Sequence, residues 1–105
     1  MKKKFINLTP HTINLNSGTS FEASGIIARV SASYTKFDND GIVRQEFGEV
    51  ENLPAPKENT IFIVSALVLS AVNGRDDVVA PATGHPFTIR NDQGHIISVP
   101  GFVRK

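Results

Sequence analysis

The side chains that could carry catalysis or hold a metal are few in this chain, and their spacing is informative. The three histidines are His11, His85 and His95, and no HxH or HExxH spacing places two of them on one face of an element. Each is therefore interpreted first as a turn or surface residue. The chain has no cysteine, which excludes disulfides, zinc–thiolate sites and thiol catalysis. The sequence predicts neither a metal site nor a cofactor.

Paired carboxylates and serines give no complete catalytic set. Asp76-Asp77 is the best acidic pair, but neighbouring residues on a strand point to opposite faces, so the two share a site only within a loop. Otherwise they form a solvated surface group beside Arg75. Ser65 with His85 is conceivable as nucleophile and base, yet a serine that caps a helix has its oxygen occupied. We therefore expect a binding protein rather than an enzyme, with hydrolysis as the alternative.

The strand–helix–strand pattern from Ile61 to Ala80 suggests an anion pocket. If its two strands are parallel neighbours, the helix start and the loop Pro81–His85 lie at one end of the sheet, where ligands of open α/β sheets collect. Backbone N–H groups there favour negative charge, hydroxyls and a glycine allow close approach, and a histidine and an arginine add charge or stacking. The hypothesis is a phosphate or nucleotide pocket built from Ser65, Thr83, Gly84, His85 and Arg90. The alternative is a simple helix cap followed by a simple loop.

The segment Thr9-Pro10-His11 is first of all a turn. Pro10 fixes its own φ and disfavours the helical region for Thr9. Apolar residues alternate with polar ones on both sides, in Lys4–Leu8 and in Thr12–Asn16, which is the period of a half-buried strand. His11 is therefore predicted to be a turn residue, with contact to a ligand as a second role if a pocket forms beside it.

The elements that would position these residues are mostly strands. Asp38–Gly41 is a strong hairpin signal, because Asp-Gly tolerates the positive φ of tight turns. Thr60–Val64 is continuously apolar and predicts a strand buried on both faces. Ser65 is the predicted N-cap of the one helix, over Ala66–Asn73, with Gly74 as its stop and apolar residues around much of its surface. The remaining predicted strands are Ile26–Phe37 with Ile42–Phe47, Val78–Pro81, and the hairpin of Phe87–Arg90 with His95–Val99.

These elements predict an α+β fold, mixed and β-rich. It would be a single domain over residues 1–105, a twisted sheet of hairpins with one short helix in a strand–helix–strand unit. Gly101–Lys105 is expected to dock onto the domain through Phe102.

Charge and hydropathy bear on partners and location. Lys2, Lys3 and Lys4 are interpreted as a solvated, frayed terminus; without them, eight basic side chains face ten acidic ones, a net charge of −2. The body therefore lacks the electrostatic footprint of a duplex-DNA binder. No apolar h-region follows the lysines, and the longest apolar stretch, Ile61–Val72, is shorter than the ~20 residues that span a bilayer. We expect a cytoplasmic protein with no nucleic-acid or membrane partner.

Several segments, taken in order, resemble a family of small phage, prophage and bacterial proteins to which no settled catalytic activity is attached. They are Asn7–His11, Ala28–Val30, Phe47–Val50, Leu53-Pro54, Ile63–Ser65, Asp77–Pro81 and Arg90–Gly94. Each is weak alone, and their order over nearly the whole chain makes the match specific. The resemblance implies provenance more than mechanism.

Phage provenance implies, by analogy, a comparison with small phage "sponges". These bind nucleotide-derived immune signals of the host, hold them without turnover, and are homo-oligomers. Under that analogy the ligand is an ADP-ribose-like or cyclic nucleotide in the host cytoplasm, and further residues join the pocket beside those named above: Asn7, Thr9, His11, Arg29 and Asn91.

Two other function classes remain open. One is a small hydrolase of such a ligand that uses His85 or His11 with an acidic residue. The other is a protein-binding or virion accessory module that presents an exposed β edge over Phe87–Val99.

Overall fold

The computed structural model describes residues 3–105. Ten strands and one helix follow one another in this part of the chain. In order they are β1 (Lys4–Asn7), β2 (Ile13–Asn14), β3 (Ser20–Phe21), β4 (Arg29–Tyr34), β5 (Gln45–Glu51), β6 (Thr60–Ile63), α1 (Ala66–Ala71), β7 (Val78–Pro81), β8 (Ile89–Arg90), β9 (Ile96–Ser98) and β10 (Phe102–Arg104). The predicted β-rich α+β fold is confirmed. Within residues 3–105 no helix has the length and apolar character needed to cross a membrane.

The central sheet has the strand order β1-β6-β7-β10. The first three strands are parallel, with Phe5 opposite Ile61 and Phe62 opposite Val78, and β10 runs antiparallel to β7. The predicted parallel pairing across the strand–helix–strand unit is therefore confirmed. The hairpins form separate two-stranded sheets around this sheet: β2 with β3, β4 with β5, and β8 with β9.

Strand β6 is buried on both faces, as its continuous apolar run predicts. Phe62 and Val64 belong to a first core cluster with helix α1 and the base of the β4–β5 hairpin. Ile61 and Ile63 belong to a second cluster on the opposite face, with residues from β2, β7 and the segment after β9. Because successive side chains of a strand alternate between faces, one strand holds two cores together.

Helix α1 begins as predicted and ends early. Ser65 is the N-cap and its Oγ accepts from the backbone N–H of Val68. The helix stops at Ala71 rather than Asn73, because Val72 turns to extended backbone (φ −90°, ψ 137°) and buries its side chain in the first cluster. Lys105 caps the C-terminal end of the helix. Its Nζ donates to the carbonyl of Ser70 at 2.7 Å and to that of Val72 at 3.0 Å.

Two further details of the helix differ from prediction. Gly74 has a positive φ of 71° but lies beyond the helix, in the connection to β7, so it is not the C′ residue. The helix is also buried on one side only, because Leu67 is 48% exposed while Val68 and Leu69 are buried.

The β4–β5 hairpin has its turn where predicted, at Asp38–Gly41, but its strands differ. The first is confined to Arg29–Tyr34, since the preceding residues are drawn to β1: the N–H of Ala28 donates to the carbonyl of Leu8 at 2.9 Å. The second is shifted to Gln45–Glu51, because Asp38 Oδ1 holds the N–H groups of Asp40 and Ile42 in a longer loop. Wide loops of this kind are built by Asp side chains that bond to backbone two residues on.

The two ends of the described chain are both tied to the central sheet. Lys4 begins β1 and donates its N–H to the carbonyl of Asn59 at 2.7 Å, so the lysine run is not wholly frayed. Lys2 lies outside the described residues. Phe102 docks as expected, with ring centroids 5.6 Å from those of Phe5 and Phe21.

Phe62→Ala tests the central role of β6. Phe62 is fully buried at the contact between β6 and the first cluster, so its truncation should lower the free energy of unfolding by about 3–5 kcal/mol. Leu67→Ala, on the exposed side of α1, is the matched control and should change it by less than about 0.5 kcal/mol. Urea unfolding followed by circular dichroism measures both; equal losses in the two variants would contradict the two-face core.

Candidate functional site

Three loops meet at the carboxyl edge of the parallel strands. The ladder continues past the strands, with the N–H of Leu8 donating to the carbonyl of Ile63 at 2.8 Å and that of Val64 to Val79 at 2.8 Å. The turn after β1, the helix start after β6 and the loop after β7 therefore leave the sheet side by side. This is the arrangement that the parallel pairing predicts, and it is where ligands bind in open α/β sheets.

The turn after β1 is held by one buried side chain. The Nδ2 of Asn7 donates to the carbonyls of His11 at 2.8 Å and Phe21 at 3.0 Å. Its Oδ1 accepts from the N–H and the hydroxyl of Thr9, at 2.9 and 2.7 Å. Both residues are buried. Asn7 and Thr9 thus use their polar atoms to shape the turn, and the exposed member of the group is His11.

The loop after β7 is joined to the β8–β9 hairpin by Arg90. The guanidinium donates from Nη1 to the carbonyl of Gly94 at 3.0 Å and from Nη2 to that of Thr83 at 3.2 Å. Asn91 closes the turn of the hairpin, its Oδ1 accepting from the N–H groups of Gln93 and His95 at 2.9 and 3.0 Å. Arg90 therefore lies beside Thr83, as the pocket hypothesis requires.

Gly84 and His85 are exposed in the same loop. The Nδ1 of His85 accepts from the N–H of Phe87 at 3.1 Å, and the imidazole stands edge-on to the Phe87 ring with centroids 5.2 Å apart. This geometry turns one nitrogen of His85 toward its own loop.

A cleft of about 300 Å³ opens between the turn after β1 and the loop after β7. Two predicted residues, His11 and Thr83, lie at it. Its other walls come from β2, the end of β7 and β9, namely Thr12, Ile13, Asn14, Pro81, Ile96, Ile97 and Val99. The volume is at the small end of the range of ligand pockets, about 300–1,000 Å³.

Asn16 keeps the two long walls of the cleft together. Its Nδ2 donates to the carbonyl of Phe87 at 2.8 Å, and its Oδ1 accepts from the hydroxyl of Ser98 at 2.6 Å. The N–H of Val99 donates to the carbonyl of Asn14 at 3.0 Å. The bonds to Ser98 and from Val99 hold β2 against β9 across more than 80 residues of chain, and sequence reasoning did not find this role. One available signal for the cleft wall was Ile96-Ile97, since two successive isoleucines on a strand point to opposite faces; both are partly exposed, at 42% and 52%.

Eight of the ten predicted residues do not line this cleft. Ser65 has its oxygen engaged by the Val68 N–H at 3.3 Å, so the capping interpretation is confirmed. Arg29 follows Ala28 near the end of β1 but lines a separate depression of about 410 Å³ with Gly25–Ile27, Glu51 and Asn52. The ten predicted residues therefore surround one edge of the sheet without all facing one cavity.

Of the two acidic residues after α1, Asp77 has a structural role. Asp77 forms an ion pair with Arg75, whose Nε and Nη2 donate to its two carboxylate oxygens at 2.8 and 2.9 Å. Arg75 Nη2 also donates to the carbonyl of Pro54 at 2.9 Å, which anchors the connection before β6. The hydrogen bonds from Arg75 hold the pKa of Asp77 below its usual value. Asp77 is thus a structural residue.

No group of three or more His, Cys, Asp or Glu side chains positioned to hold a metal ion occurs between residues 3 and 105. Comparison of the chain with protein-family models, with curated proteins and with solved structures finds no match.

Asn7→Ala tests the turn network. The change removes the Asn7 partner of the Thr9 N–H and of the Phe21 carbonyl, while the Thr9 hydroxyl still donates to the His11 carbonyl at 3.1 Å. The free energy of unfolding should therefore fall by about 2–3 kcal/mol. Asn14→Ala, at an exposed asparagine on β2, is the control and should stay within about 0.5 kcal/mol of wild type. Chemical unfolding curves compare the two; equal stability would remove Asn7 as the organiser of the turn.

Asp77→Asn tests the ion pair through pH. A carboxylate whose pKa is lower in the folded state stabilises that state above the ordinary value of about 4 and loses this contribution as pH falls through the folded value. Wild type should therefore lose stability as pH falls below about 4, and Asp77→Asn should lose less over the same range. Asp76→Asn keeps the pair and should follow wild type in melting temperature against pH. A variant Asp77→Asn with an unchanged pH profile would contradict the assignment.

Proposed function

We propose that this protein binds a small phosphorylated, nucleotide-derived ligand in the cleft between His11 and Thr83 and holds it without turnover. The observation that supports the proposal is the position of the cleft. It opens at the carboxyl edge of the parallel strands, between the two loops that the sequence singles out.

The lining suits a base at the back and polar groups at the mouth. Ile13, Ile97 and Val99 offer apolar surface for the face of a planar ring. His11 and Thr83 offer hydrogen-bonding groups at the entrance. Arg90 donates to the Thr83 carbonyl and so places a guanidinium beside the entrance, where arginine binds phosphate by paired hydrogen bonds.

We favour binding without hydrolysis because the side chains that could react are already engaged in hydrogen bonds or an ion pair. The hydroxyl of Ser65 accepts from Val68, one imidazole nitrogen of His85 accepts from Phe87, and Asp77 is paired with Arg75. The resemblance to phage and prophage proteins supports a role like that of the nucleotide "sponges", which remove a host immune signal from the cytoplasm by binding it.

The experiment is a thermal-shift screen with ADP-ribose derivatives, cyclic ADP-ribose isomers and cyclic dinucleotides. Ligand at 100 times its Kd stabilises the folded state by about 2.7 kcal/mol, which raises the melting temperature of a domain this size by about 10 °C or more. Each positive mixture is then heat-denatured and the released compound is analysed by HPLC. We expect a shift with intact ligand recovered.

Ile97→Glu and Ile26→Glu form a matched pair that locates the site. The two isoleucines are equally exposed, 52% and 54%, but Ile97 lines the proposed cleft and Ile26 lines the depression beside Arg29. A carboxylate in the cleft repels a phosphorylated ligand, so Ile97→Glu should abolish the shift and Ile26→Glu should keep it.

The other outcomes contradict distinct parts of the proposal. Loss of the shift only in Ile26→Glu would move the site to Arg29. Recovery of an altered compound would make the protein a hydrolase. No shift with any of the nucleotides would overturn the proposal for these ligands and leave protein binding as the leading function.

A further inference from the structure

Asn73-Gly74 is the one Asn-Gly pair in the sequence, and it lies in the connection between α1 and β7. Both residues are exposed. Gly74 adopts a φ of 71°, which residues with a side chain disfavour, so the connection needs a glycine at this position. Apart from its chain neighbours, no atom of the described chain lies within 4 Å of the place where a Cβ would stand on Gly74. The fold therefore keeps an uncrowded peptide nitrogen directly after an asparagine side chain.

The amide oxygen of Asn73 accepts a hydrogen bond from a cation. Lys105 Nζ donates to Asn73 Oδ1 at 3.0 Å, in addition to its bonds to the helix end. Within residues 3–105, neither the Nδ2 of Asn73 nor the N–H of Gly74 donates a hydrogen bond to another protein atom. A donor at this distance stabilises negative charge that develops on an acyl oxygen. The carbonyl carbon of the side chain is thus activated, while the adjacent peptide nitrogen is not engaged.

We propose that Asn73 is a site of spontaneous deamidation and that Lys105 promotes the reaction. The backbone nitrogen of Gly74 gives its proton to water and attacks Cγ of Asn73, which forms a C–N bond and places negative charge on Oδ1 beside Lys105. Nδ2 takes up a proton and leaves as ammonia, which closes a succinimide ring. Water then adds to either carbonyl carbon of the ring and opens it to aspartate or isoaspartate. The net reaction consumes one water and replaces the side-chain amide by a carboxylate and an ammonium ion.

Ring closure at Asn73 needs no encounter in solution, because nucleophile and electrophile belong to neighbouring residues. Two comparable sites in the same chain are engaged in hydrogen bonds. Both polar groups of the Asn16 side chain are bonded to other segments. In the pair Asp40-Gly41, the N–H of Gly41 donates to the carbonyl of Asp38 at 3.1 Å. Asn16 is therefore an internal reference, an asparagine of the same chain whose amide is held by the fold.

Deamidation changes the charge of the connection between α1 and β7. A carboxylate at position 73 still accepts from Lys105, so the hydrogen bond becomes an ion pair. Asp76 lines the same depression, of about 250 Å³, so the carboxylate adds a second acidic group there. Arg75 lines it as well but is already paired with Asp77. The formal net charge of the chain falls from +1 by one unit to zero, which makes the product separable by ion exchange.

The first experiment is incubation of the purified protein at neutral pH and physiological temperature, sampled over several weeks. Ion exchange resolves the acidic form, and mass spectrometry of peptides, digested under mildly acidic conditions, assigns the converted residue. We expect the amide to be lost at Asn73, with both aspartate and isoaspartate recovered, while Asn16 keeps its amide. An unchanged Asn73, or conversion of Asn73 no faster than that of Asn16, would overturn the proposal.

Lys105→Met and Lys36→Met form the matched pair that tests the role of the cation. Each removes one positive charge, but Lys36 is exposed on the β4–β5 hairpin and makes no contact with Asn73. Lys105→Met should slow conversion of Asn73 by about two- to tenfold, less than the hundredfold or more of an oxyanion donor in an enzyme, because this ammonium is exposed to water. Lys36→Met should keep the wild-type rate, and Lys105→Arg should restore most of it.

Thermal melts establish that the three lysine variants are folded at the incubation temperature. A rate in Lys105→Met that equals or exceeds that of wild type would overturn the role of Lys105 in the reaction. The same slowing in Lys36→Met would also overturn it, because the effect would then follow from net charge. The reaction does not involve the ligand cleft, so failure of the nucleotide thermal shift would leave these rates unchanged.

Discussion

Burial of β6 on both faces is the interaction on which the rest of the structure depends. Phe62 and Val64 close the core under α1 and the β4–β5 hairpin, and Ile61 and Ile63 close the core under β2 and the segment after β9. A domain of 105 residues buries little more than enough apolar surface for one core, so two clusters that share one strand use that surface economically. The consequence is that both core clusters depend on a strand of four residues.

The second constraint on the structure is the set of hydrogen bonds made by the buried side chain of Asn7. Asn7 is buried at the end of β1 and satisfies four groups of the following turn and of β3. A buried amide with all its partners is stabilising, and one without them is costly, so the turn has a single conformation. That conformation brings His11 to the mouth of the cleft. Asn16 is exposed, and its amide joins β2 to the β8–β9 hairpin at another wall of the cleft.

The cleft and the β4–β5 hairpin belong to different faces of the central sheet. The cleft is walled by Ile13 and Val99 from the second cluster, and the hairpin starts from the first cluster at Val30 and Val50.

Features that depend on local chemistry could be predicted from the sequence. The apolar run at Thr60–Val64, the Asp-Gly turn before Ile42 and the capping hydroxyl of Ser65 each act through neighbours a few residues away, and the parallel strand–helix–strand unit follows from them. The end of α1 depends on tertiary contacts, because Val72 is buried against residues distant in sequence and Lys105, which bonds to its carbonyl, lies 33 residues away. Tertiary structure also decided which predicted residues share a cavity. His11 meets Thr83 because two loops leave one sheet edge, whereas Arg29 is carried to another depression by the pairing of Ala28 with Leu8. Contacts across such separations depend on packing of the whole chain, which no short pattern encodes.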